Sequence, residues 1–361
     1  MTGASILFAR STLALALTAC ALAPALQSQS NIAPPRGRVT LHAHNCFPEE
    51  GLWTDRLDRA LGTEVQPIAI EQDVVWYVDP ATGQGRSVLS HGGALTGREP
   101  ALEDYFFARV RPVIERALAE NRRAEWPVVF LHFNIRNNDA AHLQYLWDLL
   151  GRYENWLTTA ERGDDEREIK PLTVGPLMVL TEGGQDEVFY GRVPVGARLR
   201  VFGTLPSGRL PVANPSDREA QAAAIVEASP DVLIPAPATN YRRWINFSWA
   251  VVERGGQAKA ADWTPADAAR LHALVDRAHA MNLAIRFYTL NGHAAADGRG
   301  WSAGYNFGSV EAARARWRAA IAAGVDLLAT DQYELVADEL KRAGESRRAT
   351  SDIVLIERPK K

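Results

Sequence analysis

"RVTLHAHNCFPEEG", Arg38 to Gly51, is a short apolar run that ends in His42 and His44, then passes through Asn45 into a loop with Pro48 and Gly51. Residues two apart along a strand point the same way. Both imidazoles would therefore leave the strand on one side, at its carboxyl end. Only 8 histidines occur in the chain, so a pair at this place turns attention to what the other strand ends carry.

Outward from this run, short apolar segments alternate with helical patterns. Strands are expected at Val39 to His44, Pro67 to Asp73, Val128 to Asn134, Leu177 to Leu180 and Leu199 to Phe202. A sixth is expected near Val232 to Ile234 or Trp244 to Ser248, and the last two at Ala284 to Tyr288 and Leu327 to Thr330. Helices are expected at Trp53 to Leu61, Leu102 to Arg122, Ala140 to Leu157, Arg218 to Glu227, Pro265 to Met281, Ser309 to Ala323 and Leu335 to Ala343. Thr264-Pro265 and Ser309 with Glu311 are helix-start signals. About eight strands, each followed by a helix or long loop, predict an α/β fold: a TIM-type (β/α)8 barrel in a helical jacket. An open doubly wound sheet is the alternative. No Gly-rich phosphate loop follows any strand, which removes the usual ground for a nucleotide-binding sheet.

At 361 residues and 47% apolar, the chain can bury a large core. With 40 basic and 43 acidic residues spread along it, no basic face for a phosphate backbone is expected, and nucleic acid is set aside as a partner. The N-terminus has one cation, Arg10, then an apolar run too short to span a membrane, so residues 1–25 are expected to be an export signal. Leu17-Thr18-Ala19-Cys20 has the form of a bacterial lipobox, in which Cys20 would be lipidated; cleavage around Ala23 to Ala25 is the alternative. The expected order is then a flexible lead-in at 26–37, one barrel domain at 38–345 and a C-terminal tail at 346–361. The expected location is the periplasm or cell envelope, otherwise secretion, with a monomer touching membrane only through the lipid anchor. Cys46 alone remains in the folded part, so no intrachain disulfide is expected there.

In a β/α barrel the carboxyl ends of the strands face the active site. The second strand ends with Glu71 and Asp73 in "IAIEQDVVWYV", the run "SVLSHGG" ends with His91, and the third strand ends with His132, Asn134 and Arg136 in "VVFLHFNIRNND". Two carboxylates on one face of an apolar strand need a counter-charge or a metal. Oxygen ligands favour one divalent cation, Mg²⁺ or Ca²⁺, over Zn²⁺; ordinary salt bridges are the alternative. A zinc amidohydrolase site would need further histidines from the middle strands, and none occurs between His142 and His272.

"HAHN", the "ExD" strand, "VLSHGG", "IRFYTLNG" and "AGVDLLATDQYELV" together resemble the superfamily of glycerophosphodiester phosphodiesterases and phosphatidylinositol-specific phospholipases C. The branch akin to the altered-inheritance-of-mitochondria proteins looks closest. The resemblance implies a barrel with His44 and His91 as the acid/base pair, Glu71 and Asp73 as metal ligands, and Asn45 as a phosphate contact. The family's third ligand, a carboxylate two residues before a Lys, falls on Asn134 and Arg136. Asn134 would ligate through its carbonyl with one negative charge fewer, and Arg136 would face the phosphate. Asn45 stands where glycerophosphodiesterases have Arg, and Gly92 where Asp often follows the second His.

Two histidines with ordinary pKa values near 6.5 can act as base and acid together near neutral pH. His42, sharing a face with His44, should line the pocket. Trp76, Trp249, Tyr288 and Trp301 would shape its alcohol or lipid end, with plain packing as the alternative for each. Thr330 and Asp331 would close the rim, and Gly292 to Ser309 reads as an active-site loop. The expected function is an exported, metal-dependent phosphoric diester hydrolase acting on glycerophosphodiesters, phospholipid headgroups or related esters. The alternatives are a catalytically silent phospho-ligand-binding envelope protein and a zinc amidohydrolase-type hydrolase.

Overall fold

A computed structural model describes residues 38–48, 54–208, 210, 218–253, 262–294, 296 and 303–356. The expected export signal with Cys20, the lead-in, Trp53 and Trp301 lie outside the described residues. Of the expected tail, the backbone of 346–356 continues the last helix and the remainder lies outside them too.

The strands are β1 (Thr40–Ala43), β2 (Ile68–Val78), β3 (Gly85–Leu89), β4 (Val129–Ile135), β5 (Thr159–Glu161) and β6 (Leu172–Thr173). They continue with β7 (Leu177–Thr181), β8 (Arg198–Leu199), β9 (Phe202–Thr204), β10 (Arg242–Ser248), β11 (Ala284–Tyr288) and β12 (Leu327–Thr330). Parallel pairing runs β1-β2-β4-β7-β9-β10-β11-β12 and returns to β1, which closes an eight-stranded barrel. The open-sheet alternative is thereby excluded. The far half of β2 leaves the barrel as a hairpin with antiparallel β3, Val74 opposite Leu89. Strands β5, β6 and β8 form a separate small antiparallel sheet.

Two expected strands differ in detail. Val232 to Ile234 does not join the barrel, because Pro230 at the first helical position after Ser229 starts a short helix; the sixth barrel strand is β10. Leu199 to Phe202 divides, Leu199 pairing with Ala160 in the small sheet and Phe202 with Leu180 in the barrel.

The helices α1 (Arg56–Gly62), α2 (Ala108–Glu120), α3 (Ala140–Arg152), α4 (Arg218–Glu227), α5 (Pro230–Leu233), α6 (Pro265–Ala280), α7 (Val310–Ala323) and α8 (Tyr333–Ile356) form the jacket. The starts of α6 and α7 follow the capping chemistry: Thr264 and Asp267 make a reciprocal capping box on α6, and Ser309 accepts from the Ala312 amide on α7. Alternate strand residues Leu41, Ile70, Leu131, Val179, Ile245 and Ile285 are buried in the main hydrophobic cluster. The opposite phase carries His42, Glu71, His132, Asn246 and Arg286, so the upper barrel interior is polar. That phase places the site.

Candidate active site at the barrel mouth

Barrel closure brings the ends of β1, β2, β4, β7, β10, β11 and β12 around one polar centre. His44 is one residue past β1, and its Nδ1 lies 2.8 Å from Oδ1 of Asp331, one residue past β12. Burial opposes ionisation of Asp331, but His44, Arg56 and the Asn45 amide hold its pKa below the usual range. An ionised carboxylate only accepts, so the hydrogen of the Asp331 contact comes from His44 Nδ1, beside which Asn45 Nδ2 also lies at 2.9 Å, and Nε2 stands 3.9 Å from Glu71 Oε2. The rings of Tyr288 and Tyr305 stack beside His44 at 6.2 and 5.7 Å.

The second imidazole arrives from a different element. His91 follows β3, its side chain 39% exposed, with Nε2 3.9 Å from Oδ2 of Asp73. Burial lowers its pKa first and Arg136 second, with Glu71 opposing. Arg136 donates from Nε to the His91 carbonyl at 3.0 Å and sets Nη1 3.5 Å from Asp73 Oδ2. Behind His91, Gly92 and Gly93 have φ of 122° and 89°, a region L side chains rarely adopt. The turn itself disfavours an Asp at position 92. Asn45, at φ 50°, occupies the left-handed region that Asn tolerates, where an Arg would be strained.

Glu71 pairs with a residue the sequence reading did not single out. Arg286, 1% exposed on β11, donates to Glu71 Oε2 at 2.8 Å, to His42 Nδ1 at 2.5 Å and to Asn246 Oδ1 at 2.9 Å. Burial works against ionisation of Glu71, and Arg286, followed by His44 and His132, holds it well below the carboxylate range. The counter-charge for Glu71 is thus a guanidinium. Asn134 faces the same carboxylate, its Nδ2 3.4 Å from Oε1. Signals for Arg286 were present: a cation inside the apolar run "AIRFY", two residues before Tyr288 on the same phase.

The donor atoms of His42, Glu71 and His132 also lie within 4.8 Å of one another. Arg286 stands against that group, since its guanidinium donates to both His42 and Glu71, and burial with Arg286 pushes the His42 pKa well down. The ligand set expected from the sequence lies on β2 and β4, where Asp73 pairs in register with Asn134 and Asn134 turns its Nδ2 to Glu71 Oε1; Arg286 donates to Glu71 in this set as well.

Four residues sit differently from expectation. Asn45 is buried; its Nδ2 donates to Asp331 Oδ1 at 3.3 Å and lies 2.9 Å from His44 Nδ1, while Arg56 donates to its carbonyl at 2.6 Å, so in this structure its amide is engaged beside His44. His42 lies fully buried below His44, edge-on to His132 at 5.1 Å, beneath the pocket rather than lining it. Trp249 is fully buried against Trp263 and Phe287 with Nε1 donating to Glu253 at 2.6 Å, because β10 ends in a turn that tucks it under the jacket. Trp76 likewise packs on His142 and Tyr145 at 5.6 and 5.5 Å. Tyr288 stays at the mouth, beside His44 and Tyr305.

One more acidic residue borders the site. Glu182 follows β7 directly, and since Thr181 pairs with Phe133 it stands one strand over from Asn134 at the same height. Its Oε1 accepts from Asn246 Nδ2 at 2.8 Å and lies 3.5 Å from His132 Nε2. Burial opposes its ionisation, and the His132 contact with Arg286 beyond lowers its pKa.

Neither the protein-family models nor the curated proteins include a match to the chain. Solved structures do. The chain is similar to glycerophosphodiester phosphodiesterases. One from Parabacteroides distasonis ATCC 8503 shares 14% identity at a TM-score of 0.40, over 87% of this chain and 90% of that one. One from Agrobacterium tumefaciens str. C58 shares 13% at 0.33, over 84% and 99%. The HPPK-DHPS of Plasmodium falciparum also matches, at 8% and 0.37, over 90% of this chain and 48% of that one.

Proposed function

We propose that the protein is an exported, metal-assisted phosphoric diester hydrolase acting on glycerophosphodiesters, phospholipid headgroups or related esters. One observation carries this reading: two imidazoles from separate elements, His44 and His91, each lie 3.9 Å from one of two adjacent buried carboxylates, Glu71 and Asp73, at the carboxyl end of a barrel. One imidazole takes the proton of the attacking oxygen while the other returns one to the leaving oxygen. Asp331 holds His44 in the tautomer that aims Nε2 inward. Arg136, anchored on the His91 carbonyl, balances phosphate charge from the side of His91. Glu71, Asp73 and Asn134 would hold one Mg²⁺ or Ca²⁺, which when bound would neutralise the non-bridging phosphate oxygens.

Export through the N-terminal signal, with lipidation at Cys20 as the membrane attachment, belongs to the same proposal, as do the 38–345 domain and the monomeric state. Among the described residues no helix is long and apolar enough to cross a membrane.

A second reading, a silent phospho-ligand binder, is favoured by Arg286, which occupies Glu71, and by the neutral Asn134. Hydrolysis of bis(p-nitrophenyl) phosphate and a glycerophosphodiester panel separates the two, measured with EDTA or with added Mg²⁺, Ca²⁺ or Zn²⁺. Metal-dependent turnover lost in both His44→Ala and His91→Ala supports the hydrolase. Retained phospho-ligand binding with no turnover under any ion supports the binder.

A further inference from the structure

Charge at the mouth is arranged asymmetrically. Arg136, with a 32% exposed side chain, stands beside His91 on the end of β4, whereas Glu182, 40% exposed, stands past β7, the next strand around the barrel. Among the described residues Glu182 is the most exposed carboxylate of this polar centre; Glu71, Asp73 and Asp331 are all nearly or fully buried. Its orientation is set from below. Asn246 accepts from Arg286 at 2.9 Å and donates to Glu182 Oε1 at 2.8 Å, a relay that ties the rim carboxylate to the same guanidinium that holds Glu71. On the neighbouring wall the aromatic faces of Tyr288 and Tyr305 lie 6.4 Å apart.

We infer that Glu182 is a specificity residue for the alcohol portion of the substrate, selecting diesters whose alcohol carries an ammonium group. This rests on the phosphodiesterase reading for the position of the phosphate. With the phosphate between His44, His91 and Arg136, an alcohol substituent directed away from Arg136 meets a pre-oriented carboxylate with tyrosine faces nearby. An ammonium is attracted by both, through ion pairing and through the ring quadrupole. A neutral polyol meets only a hydrogen-bond acceptor, and an anionic headgroup is repelled.

The test compares kcat/KM of the full-length protein for glycerophosphocholine, glycerophosphoethanolamine and glycerophosphoglycerol, at one ionic strength, with that of Glu182→Gln, which keeps an acceptor for Asn246. Wild type should favour the two ammonium esters over the neutral one, chiefly through KM, and the variant should lower that ratio about tenfold or more. An unchanged ratio, or an equal fall for all three esters, overturns the inference while leaving the hydrolase reading in place. Calorimetric titration with choline alone needs no turnover and separates the two readings. If no diester is cleaved, the hydrolase reading fails, yet millimolar choline binding lost in Glu182→Gln sustains the cation subsite. No choline binding by wild type overturns it.

Discussion

His44 and Asp331 meet 2.8 Å apart, Nδ1 to Oδ1, where the last barrel strand closes on the first. The contact decides which ring nitrogen faces the site, and Asp331 is itself steadied by Arg56 Nη2 at 3.7 Å. Replacing Asp331 by Asn keeps the shape but allows the amide to donate, which favours the opposite tautomer of His44. The expected outcome is a fall in kcat of about 10²- to 10⁴-fold with KM little changed. Steady-state kinetics on a diester, with a circular dichroism melt to show that the variant is folded, checks this; a change confined to KM would contradict the positioning role.

Arg286 and Glu71 form a buried ion pair across the barrel. Removing the cation alone strands a carboxylate that is almost wholly dry. Arg286→Met should therefore destabilise the protein by about 3–5 kcal/mol, and Arg286→Met with Glu71→Gln should recover much of the loss. Urea unfolding at pH 7 of both single variants and the double variant gives the coupling directly.

His142 offers a pH-dependent contribution away from the site. Its Nδ1 donates to Asn137 Oδ1 at 3.1 Å and its Nε2 accepts from the Ser87 hydroxyl at 2.9 Å, a neutral ring satisfied on both sides. Burial lowers its pKa to about 4, against partial opposition from Asn137 and Asp139. The unfolded chain takes up this proton below its ordinary value of 6.5 and the fold resists until about 4, so the contribution is complete above 6.5 and is lost as pH falls through that window. The loss amounts to about 3 kcal/mol. Urea midpoints of wild type and His142→Gln from pH 7 to pH 4 should converge toward acid; parallel curves would refute the assignment.

Asn134 contributes no charge to the carboxylate pair, with its Nδ2 turned toward Glu71. Asn134→Asp adds a negative charge among the proposed cation ligands. The Mg²⁺ concentration for half-maximal activity should fall about tenfold, and EDTA inhibition should need longer incubation to develop. Activity against free Mg²⁺, paired with calorimetric titration, measures both.

Much of this architecture is legible in the residues themselves. All eight barrel strands lie at or beside the expected runs, and the inward phase of "LHAH", "IEQD" and "LHFN" marks the polar interior, because alternation is a property of consecutive residues. Trp249 shows the limit. A tryptophan at a strand end reads equally well as a pocket wall or as packing, and only the turn after β10 puts it under the jacket beside Glu253. Arg286 was visible as an odd cation in an apolar strand, yet its partner Glu71 lies 215 residues earlier.

Local patterning along the chain reaches the barrel strands, the starts of α6 and α7 and which side chains share a face, since these depend on periods of two and of about 3.6 residues along a local stretch. The tertiary structure decided who pairs with whom: Arg286 with Glu71, Asp331 with His44, Arg136 with the His91 loop, Glu182 with Asn246. Those partners lie on different elements, and their meeting depends on strand order, stagger and closure of the barrel. Pairing of buried charge is a matter of distance in space, and no local pattern encodes it.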